Sequence, residues 1–408
     1  MASIKARLGW KGLKASEYVD EGFIFLSTPN IKGPSIDFDN VDYISARRYY
    51  ESPEIILRNG DVLIAKDGST LGTANVVRSL PAPATVNSSI AVVRPAEALN
   101  SLYCFYFLTS HYTQSMVGRM KDGMGVPHLF QADLRKFTIL LPPGHEQVAI
   151  ARFLDRETAM IDAIIERKER LITLLEEKRA ALIDRAVTKG VNQDALMKDS
   201  GIPWLLGGIP DHWDVRRLGR LFRERDERGH PDLPLLTVSL NTGVTVREFS
   251  ESRIERVADD PATYKRAASG DVVFNKMRMW QGAVGVAPSD GLVSPDYVVA
   301  RALPDVHVEF FAHVFRTRNF KGEVNRFSHG IVPDRNRLYW DQFKQLTVPF
   351  PPVREQAAIL REIERRTESI DSLTNRINRV INLLQEYRTA LISAAVTGRI
   401  DVRGFARV

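Results

Sequence analysis

Residue types that can read a nucleic acid recur between short apolar runs of this sequence. The first half carries Lys66, Ser69 and Thr70 within Lys66-Asp67-Gly68-Ser69-Thr70, then Asn87 and Ser88, then Lys121 and His128. The second half carries Lys276, Arg278, Trp280 and Gln281, then Asp296 and Tyr297, then His329, Arg335, Asn336 and Arg337. Arg, Lys, Asn and Gln form paired hydrogen bonds with guanine or adenine edges, Asp accepts from cytosine, and glycines let backbone amides approach phosphates. Lys66 and Lys276 occupy equivalent positions with different neighbours, which suggests a phosphate contact used twice. Arg278, Gln281, Asn336 and Arg337 are the candidates for base reading in the second half. For any one of these residues, a solvated surface role competes with the functional one.

Other chemistries find little support. There is no Gly-Lys pair and therefore no phosphate loop. The string nearest to the Asn/Asp-Pro-Pro-aromatic loop of an adenine methyltransferase, Asp260-Pro261-Ala262-Thr263, lacks the second proline and the aromatic. Pro295-Asp296 and Glu166-Arg167-Lys168 superficially resemble a nuclease site, but the second lies in a long helical segment where such residues are ordinary surface. The eight histidines show no ligand spacing, and no metal site is expected. Catalysis by this chain alone is not expected.

The elements that must position the candidate residues are written twice. Pro142-Pro143, Glu146-Gln147, Ala149-Ile150 and Arg152 recur 209 positions later as Pro351-Pro352, Glu355-Gln356, Ala358-Ile359 and Arg361. The displacement holds through Ala186-Val187-Thr188 and Ala395-Val396-Thr397. Gly60-Asp61-Val62, Lys66 and Gly72 reappear as Gly270-Asp271-Val272, Lys276 and Gly282. Internal repetition fixes architecture before any motif is interpreted. The order is variable block, similar helix, variable block, similar helix, as expected of two copies doing one job on different targets.

Neither Glu146 to Thr188 nor Arg354 to Thr397 contains proline or glycine, so each predicts one helix of about 43 residues, roughly 65 Å long. Proline pairs mark the starts, and Gly190 and Gly398 the stops. Ile363, Ile370, Ile377, Leu384 and Leu391 fall every seven residues, with Ile359, Leu373, Val380 and Tyr387 as a companion row. The first helix keeps Leu154, Ile161, Leu175 and Leu182, with Ile150, Ile164 and Leu171, although Glu157 and Lys168 interrupt the pattern. Pairing the two helices antiparallel is the natural way to bury both rows; separate packing of each helix on its own domain is the alternative.

The blocks between the helices alternate runs such as Val62-Leu63-Ile64, Ile90-Ala91-Val92-Val93 and Val272-Val273-Phe274 with turn residues. The expected fold is α+β: two small strand-rich α/β recognition domains joined by two long antiparallel coiled-coil helices, a pseudo-twofold tandem repeat. The boundaries read as 1-141, first recognition domain; 142-190, first long helix; 191-213, linker; 214-350, second recognition domain; 351-408, second long helix and tail. With 408 residues and 44% hydrophobic content the chain can fold such domains, and its net charge of +6 favours a polyanionic partner. A single cysteine, Cys104, reads as a small core residue and fits a reducing compartment. With no leader-like apolar run and no stretch long enough to span a membrane, a cytoplasmic location is expected.

Taken together, the pattern resembles the specificity subunit of type I restriction-modification systems: two variable target-recognition domains, each followed by a long helix opening Pro-Pro-x-x-Glu-Gln and closing Ala-Val-Thr. Gly201-Ile202-Pro203-Trp204-Leu205 with Ile209-Pro210-Asp211-His212-Trp213 looks like the family's linker, and Gly9-Trp10-Lys11-Gly12-Leu13 is similar to family sequences opening a first domain. Here the first block starts almost directly at that stretch, without the preceding short strand or helix that the family usually has and that residues 213 to 222 supply in the second copy. The resemblance implies a non-catalytic subunit that binds double-stranded DNA with a bipartite target. It implies two methyltransferase subunits on the helices and restriction/translocase subunits joining them, with S-adenosylmethionine, ATP and Mg2+ in those partners and no cofactor here. Recognition elements on successive major-groove faces sit about 34 Å apart, so helix length would set an unread spacer. A stand-alone DNA-binding or architectural protein and a coiled-coil interaction scaffold remain as alternatives.

Overall fold

A four-stranded antiparallel sheet organises each half of the molecule. In the computed structural model the described residues are 2–7, 13–121, 128–205, 207–247, 263–330 and 336–402, excluding the side chains of residues 15, 120 and 121. They fall into two units, Met1–Arg170 with Ile377–Val408, and Leu171–Arg376.

In the first unit a four-stranded sheet has the order Ala2–Lys5, Ile90–Pro95, Val62–Ala65, Ala74–Val76, antiparallel throughout. Val62, Ile64, Ala91 and Val93 face one way, into a cluster with Tyr103, Phe107, Leu154 and Ile392. Leu63, Ala65, Ile90 and Val92 face the other, against Ile24, Leu26, Ala84 and Val86 of a second sheet. The period of two along a pleated strand produces this division, and both faces are dry, which is why these strands read as unbroken apolar runs. Cys104 is buried in the first cluster, where burial pushes its thiol up to about 12. Ala2–Lys5 corrects the expectation that no strand precedes Gly9-Trp10: it pairs with Val92 to Pro95 on the edge of the sheet. Residues 8–12 lie outside the described residues.

The second unit has the same sheet in the order Phe222–Arg225, Tyr297–Ala302, Val272–Asn275, Val284–Val286. Val272, Phe274, Val298 and Ala300 face a cluster built on Phe310, Phe311, Phe315 and Phe320, while Val273 and Val299 face Leu236, Val238 and Val244. Each of those four phenylalanines is fully buried, a contribution on the order of 2 kcal/mol apiece. The segment read as a linker is packed: Ile202, Trp204, Leu205, Ile209 and Trp213 belong to this cluster, and the Trp204 indole donates to the Thr347 carbonyl at 3.0 Å.

Gly144–Lys189 and Val353–Val396 are uninterrupted helices of 46 and 44 residues, as the absence of proline and glycine predicts. Within the first unit, the Tyr103 hydroxyl lies 2.8 Å from the Leu140 carbonyl, just before the first helix, and 3.2 Å from that of Val396, the last residue of the second. Farther along the pair, Arg388 donates to Asp162 at 2.9 and 3.2 Å. Within the second unit, Arg179 donates to Asp371 at 3.0 Å, and Glu355, in the first turn of the second helix, approaches Gly190 just past the end of the first. The two helices therefore run antiparallel.

The sevenfold row and the positions four residues beyond it carry this pairing: in the latter, Thr158, Thr367 and Ile381 are buried and Ile165 and Ile172 half-buried. Leu154, Ile161, Ile363, Ile370 and Ile377 are buried, and Leu175, Leu182, Leu384 and Leu391 are half-buried. Ile150 and Ile359 are buried too, in the same core clusters as Leu154 and Ile363 respectively. The rest of the companion row is exposed, which corrects the expectation that pairing buries both: Ile164 (42%), Leu171 (38%), Leu373 (37%), Val380 (41%) and Tyr387 (56%) face solvent.

Candidate nucleic-acid interface

The candidate loops sit where strands of the central sheets end, held there by a hydrogen-bond frame that is built twice. Gly60 and Gly270 precede the strands with φ of +89° and +85°, a left-handed conformation that costs an ordinary residue about 1 kcal/mol or more. Their amides donate to the carbonyls of Val77 (2.7 Å) and Ala287 (2.9 Å). The next residue closes the turn with its carboxylate: Asp61 accepts from the Arg58 amide at 2.8 Å, and Asp271 from the Ala268 amide at 2.9 Å. Each carboxylate is buried and ion-paired, Asp61 with Arg94 through two 2.7 Å contacts and Asp271 with Arg225 at 2.6 Å. These bonds explain the repeated Gly-Asp-Val.

At the far end of the same strands, the Lys66 amide donates to the Ser89 carbonyl at 2.8 Å, and the Leu129 amide to the Lys66 carbonyl at 2.8 Å. The second unit repeats both bonds: Lys276 to Asp296 at 3.3 Å, and Leu338 to Lys276 at 2.9 Å. Three separated stretches of chain are so gathered in each unit. In the first they bring together Lys66, Ser69, Thr70, Asn87, Ser88 and His128; in the second, Lys276, Arg278, Trp280, Gln281, Asp296, Tyr297, His329, Asn336 and Arg337. Lys121 closes the helix His111–Lys121, with its side chain outside the described residues, and Arg335 lies outside them altogether.

The gathered side chains differ in readiness. Ser69, Ser88, Arg278, Gln281, Asp296 and His329 are exposed. Asn87 is half-buried and closes a local turn, its carboxamide oxygen accepting from the Ser89 amide at 3.1 Å. The Lys66 ammonium is 3.3 Å from Asp67, whose other oxygen meets His128 Nδ1. Lys276 donates to the Pro295 carbonyl at 3.0 Å and stands 5.7 Å from the centre of the Tyr339 ring; burial, with Lys265 close by, lowers its pKa below the usual lysine range. Trp280 is half-buried and spends its indole N–H on the Met277 carbonyl at 2.9 Å, and Tyr297 packs partly against the core. Asn336 donates to the Asn325 side chain at 3.4 Å.

Two aromatic residues at these loops were not singled out from the sequence. Phe130 (61% exposed) and Tyr339 (43% exposed) stand in matching places, each at the start of a one-turn helix that follows the bond to lysine. The Phe130 ring meets the His128 ring edge-on at 4.3 Å, beside a cleft of about 340 Å³ lined also by Arg7 and Lys66. Their signal was available as the 209-residue displacement between them.

A tether fixes each long helix to its own unit. Gln147 accepts from the Asn100 amide at 2.8 Å and donates to the carbonyls of Pro142 (2.8 Å) and Ala98 (3.0 Å). Gln356 does the same with His307 (3.0 Å), Pro351 (2.9 Å) and Asp305 (3.5 Å). Both glutamines are buried. The helix after each Asn100- or His307-capped turn meets the long helices differently. Its sixth residue is Tyr106 in the first unit, bonded to Asp155 at 2.6 Å, where burial and that bond raise its pKa. In the second it is His313, which burial, with Arg179 and Arg316 nearby, pushes down to about 4.

Among the described residues there is no group of His, Cys, Asp and Glu that could hold a metal, and no helix long and apolar enough to cross a membrane. Comparison with known proteins gives one consistent direction. A family model described as the type I restriction modification DNA specificity domain matches residues 28–174. The type I restriction enzyme MjaVIII specificity subunit of Methanocaldococcus jannaschii is 23% identical over 373 residues, covering 86% of this chain and 81% of that one. The EcoKI specificity subunit of Escherichia coli K12 is 21% identical over 419 residues, covering 97% and 86%. A chain solved in work on the complex assembly and conformational transition of the type I R-M system shares the fold, with a TM-score of 0.61 over 97% of both chains at 17% identity.

Proposed function

The chain belongs to the family of DNA specificity subunits of type I restriction-modification systems, and on that premise we propose that each unit reads one half of a bipartite duplex target. The observation that carries this reading is the duplicated frame: the same main-chain bonds present different exposed side chains at the end of each sheet. Reading falls to exposed groups, Ser69 and Ser88 in the first unit and Arg278, Gln281 and Asp296 in the second. Lys66 and Lys276, engaged within the chain, position the loops and offer charge to the phosphates. We assign residues 1-141 and 214-350 as the recognition domains and the long helices as spacer and partner-binding elements.

The subunit is non-catalytic. Adenine methylation and ATP-dependent cleavage belong to two methyltransferase subunits and the restriction subunits that assemble with it, and these carry S-adenosylmethionine, ATP and Mg2+. We place the assembly in the cytoplasm. The test is to co-express the chain with the methyltransferase encoded beside it and map methylated adenines by single-molecule sequencing. One bipartite motif, present only with both chains, is the expected result; a stable complex that leaves no motif overturns the reading. In the same assay Arg278→Ala or Gln281→Ala relaxes the second half-site by about 1–3 kcal/mol, and an unchanged motif in both removes that assignment.

A further inference from the structure

The lysine-anchored junction places one further pair of side chains at the same point in each unit. Asp67 follows Lys66 and His128 precedes Leu129, so the main-chain bond from Leu129 to Lys66 sets them side by side, and His128 Nδ1 is bonded to the Asp67 carboxylate. Met277 follows Lys276 and Arg337 precedes Leu338, and the corresponding bond sets these two side by side, with Arg337 Nη2 at 3.9 Å from the Met277 sulfur. An exposed aromatic ring, Phe130 or Tyr339, stands two residues beyond in each case.

The two pairs present opposite hydrogen-bond character. A carboxylate at Nδ1 keeps the proton on that nitrogen, because an acceptor there selects the Nδ1–H tautomer. Nε2 of neutral His128 is then an acceptor. A thioether is a weak acceptor that takes up little of a guanidinium's five N–H groups, and among the described residues no carboxylate pairs with Arg337. Its fork remains a donor. Both pairs are half-buried at the loop surface, His128 lining the cleft with Lys66.

We propose that Asp67–His128 and Met277–Arg337 are equivalent specificity-determining pairs that read one matching position in each half-site with opposite polarity. His128 Nε2 accepts from an exocyclic amino group, adenine N6 or cytosine N4, and Arg337 donates to guanine O6 and N7. Asp67 and Met277 act through their partners, one fixing a tautomer and the other leaving a guanidinium unneutralised. This assignment rests on the reading of the two units as half-site readers.

The test exchanges the pairs in the full chain co-assembled with its methyltransferase and reads the methylated motif. Asp67→Met with His128→Arg is expected to convert one position of one half-site from an amino-bearing base to guanine, leaving the other half-site untouched. Met277→Asp with Arg337→His is expected to remove a guanine from the other half-site. On duplexes differing at that position, the preference changes by roughly tenfold to a hundredfold. Two milder variants guard against misfolding: Arg337→Lys loses the paired contact and relaxes guanine, while His128→Gln keeps an acceptor and retains the motif. Wild-type motifs in both exchanged chains overturn the assignment, as does undiminished guanine preference in Arg337→Lys. A wild-type complex with no bipartite motif instead removes the half-site reading itself, and the pair assignment with it.

Discussion

In the first unit the strand Val62–Ala65 runs into a loop closed by Asp67 and His128; in the second, Val272–Asn275 runs into one closed by Met277 and Arg337. Around these loops nearly everything made by main chain is the same. The glycine of the entry turn, the carboxylate that closes it, the two bonds at the lysine and the glutamine tether all recur with distances that agree within 0.5 Å. Side chains at the loop differ in charge, size and hydrogen-bond sense. The contrast separates what the fold requires from what it leaves free.

The sharpest way to break that equivalence is through the helix pairing that serves both units. Ile377→Asp in the first and Ile370→Asp in the second each bury a charge, costing about 3–5 kcal/mol in chemical denaturation and disrupting complex assembly. Val380→Asp and Leu373→Asp, on the exposed row, stay within about 0.5 kcal/mol. Equal costs at the buried and the exposed positions would overturn this assignment of the paired face. Next come the buried turn carboxylates: Asp61→Ala leaves Arg94 only the Ile56 carbonyl at 2.9 Å, and Asp271→Ala leaves Arg225 only Glu227 at 2.6 Å, costing about 3 kcal/mol each. A large loss in one unit with tolerance in the other would show that the two turns are alike in geometry and unlike in energy.

The tethers give a smaller effect. Gln147→Ala and Gln356→Ala each leave a half-buried main-chain amide and two carbonyls without their glutamine partner, about 2 kcal/mol, read as a lowered denaturation midpoint. A pH dependence distinguishes the units at a similar or smaller scale. His313 stands at about 4 in the folded chain against an ordinary 6.5, so the unfolded imidazole takes up its proton first. Stability is complete above about pH 6.5 and declines as pH falls toward 4, by on the order of 2 kcal/mol. His313→Gln flattens that slope in thermal unfolding, and an unchanged slope would sink the assignment. The first unit has Tyr106 in that place, whose raised pKa keeps its hydroxyl protonated throughout that range.

Much of this was legible in the sequence for identifiable reasons. Long helices announce themselves by the absence of proline and glycine, and two-faced burial of the central strands shows as continuous Val, Ile and Leu. The candidate loops were found because they sit between such strands. The strand Ala2–Lys5 escaped notice because it is short and its pairing partner lies about 90 residues away. The companion helix row misled because spacing identifies a stripe and says nothing of whether a second surface covers it. The His128–Asp67 contact joins residues 61 positions apart, and only the main-chain bond from Leu129 to Lys66 makes them neighbours. Phe130 and Tyr339 were overlooked for a different reason: an exposed aromatic carries no pattern until its counterpart is aligned with it.

The junction at Lys66 and Lys276 also bears on how such a chain can change over generations. Its closing bonds run between backbone groups, and they survive replacement of the side chains around them. A handful of codon changes at positions 67, 128, 277 and 337 therefore alters what is displayed without requiring the sheet to be rebuilt, and each unit can drift separately from the other. Innovation in such a protein is cheap at the loop and expensive at the turn, where Gly60, Asp61, Gly270 and Asp271 leave mutation little room.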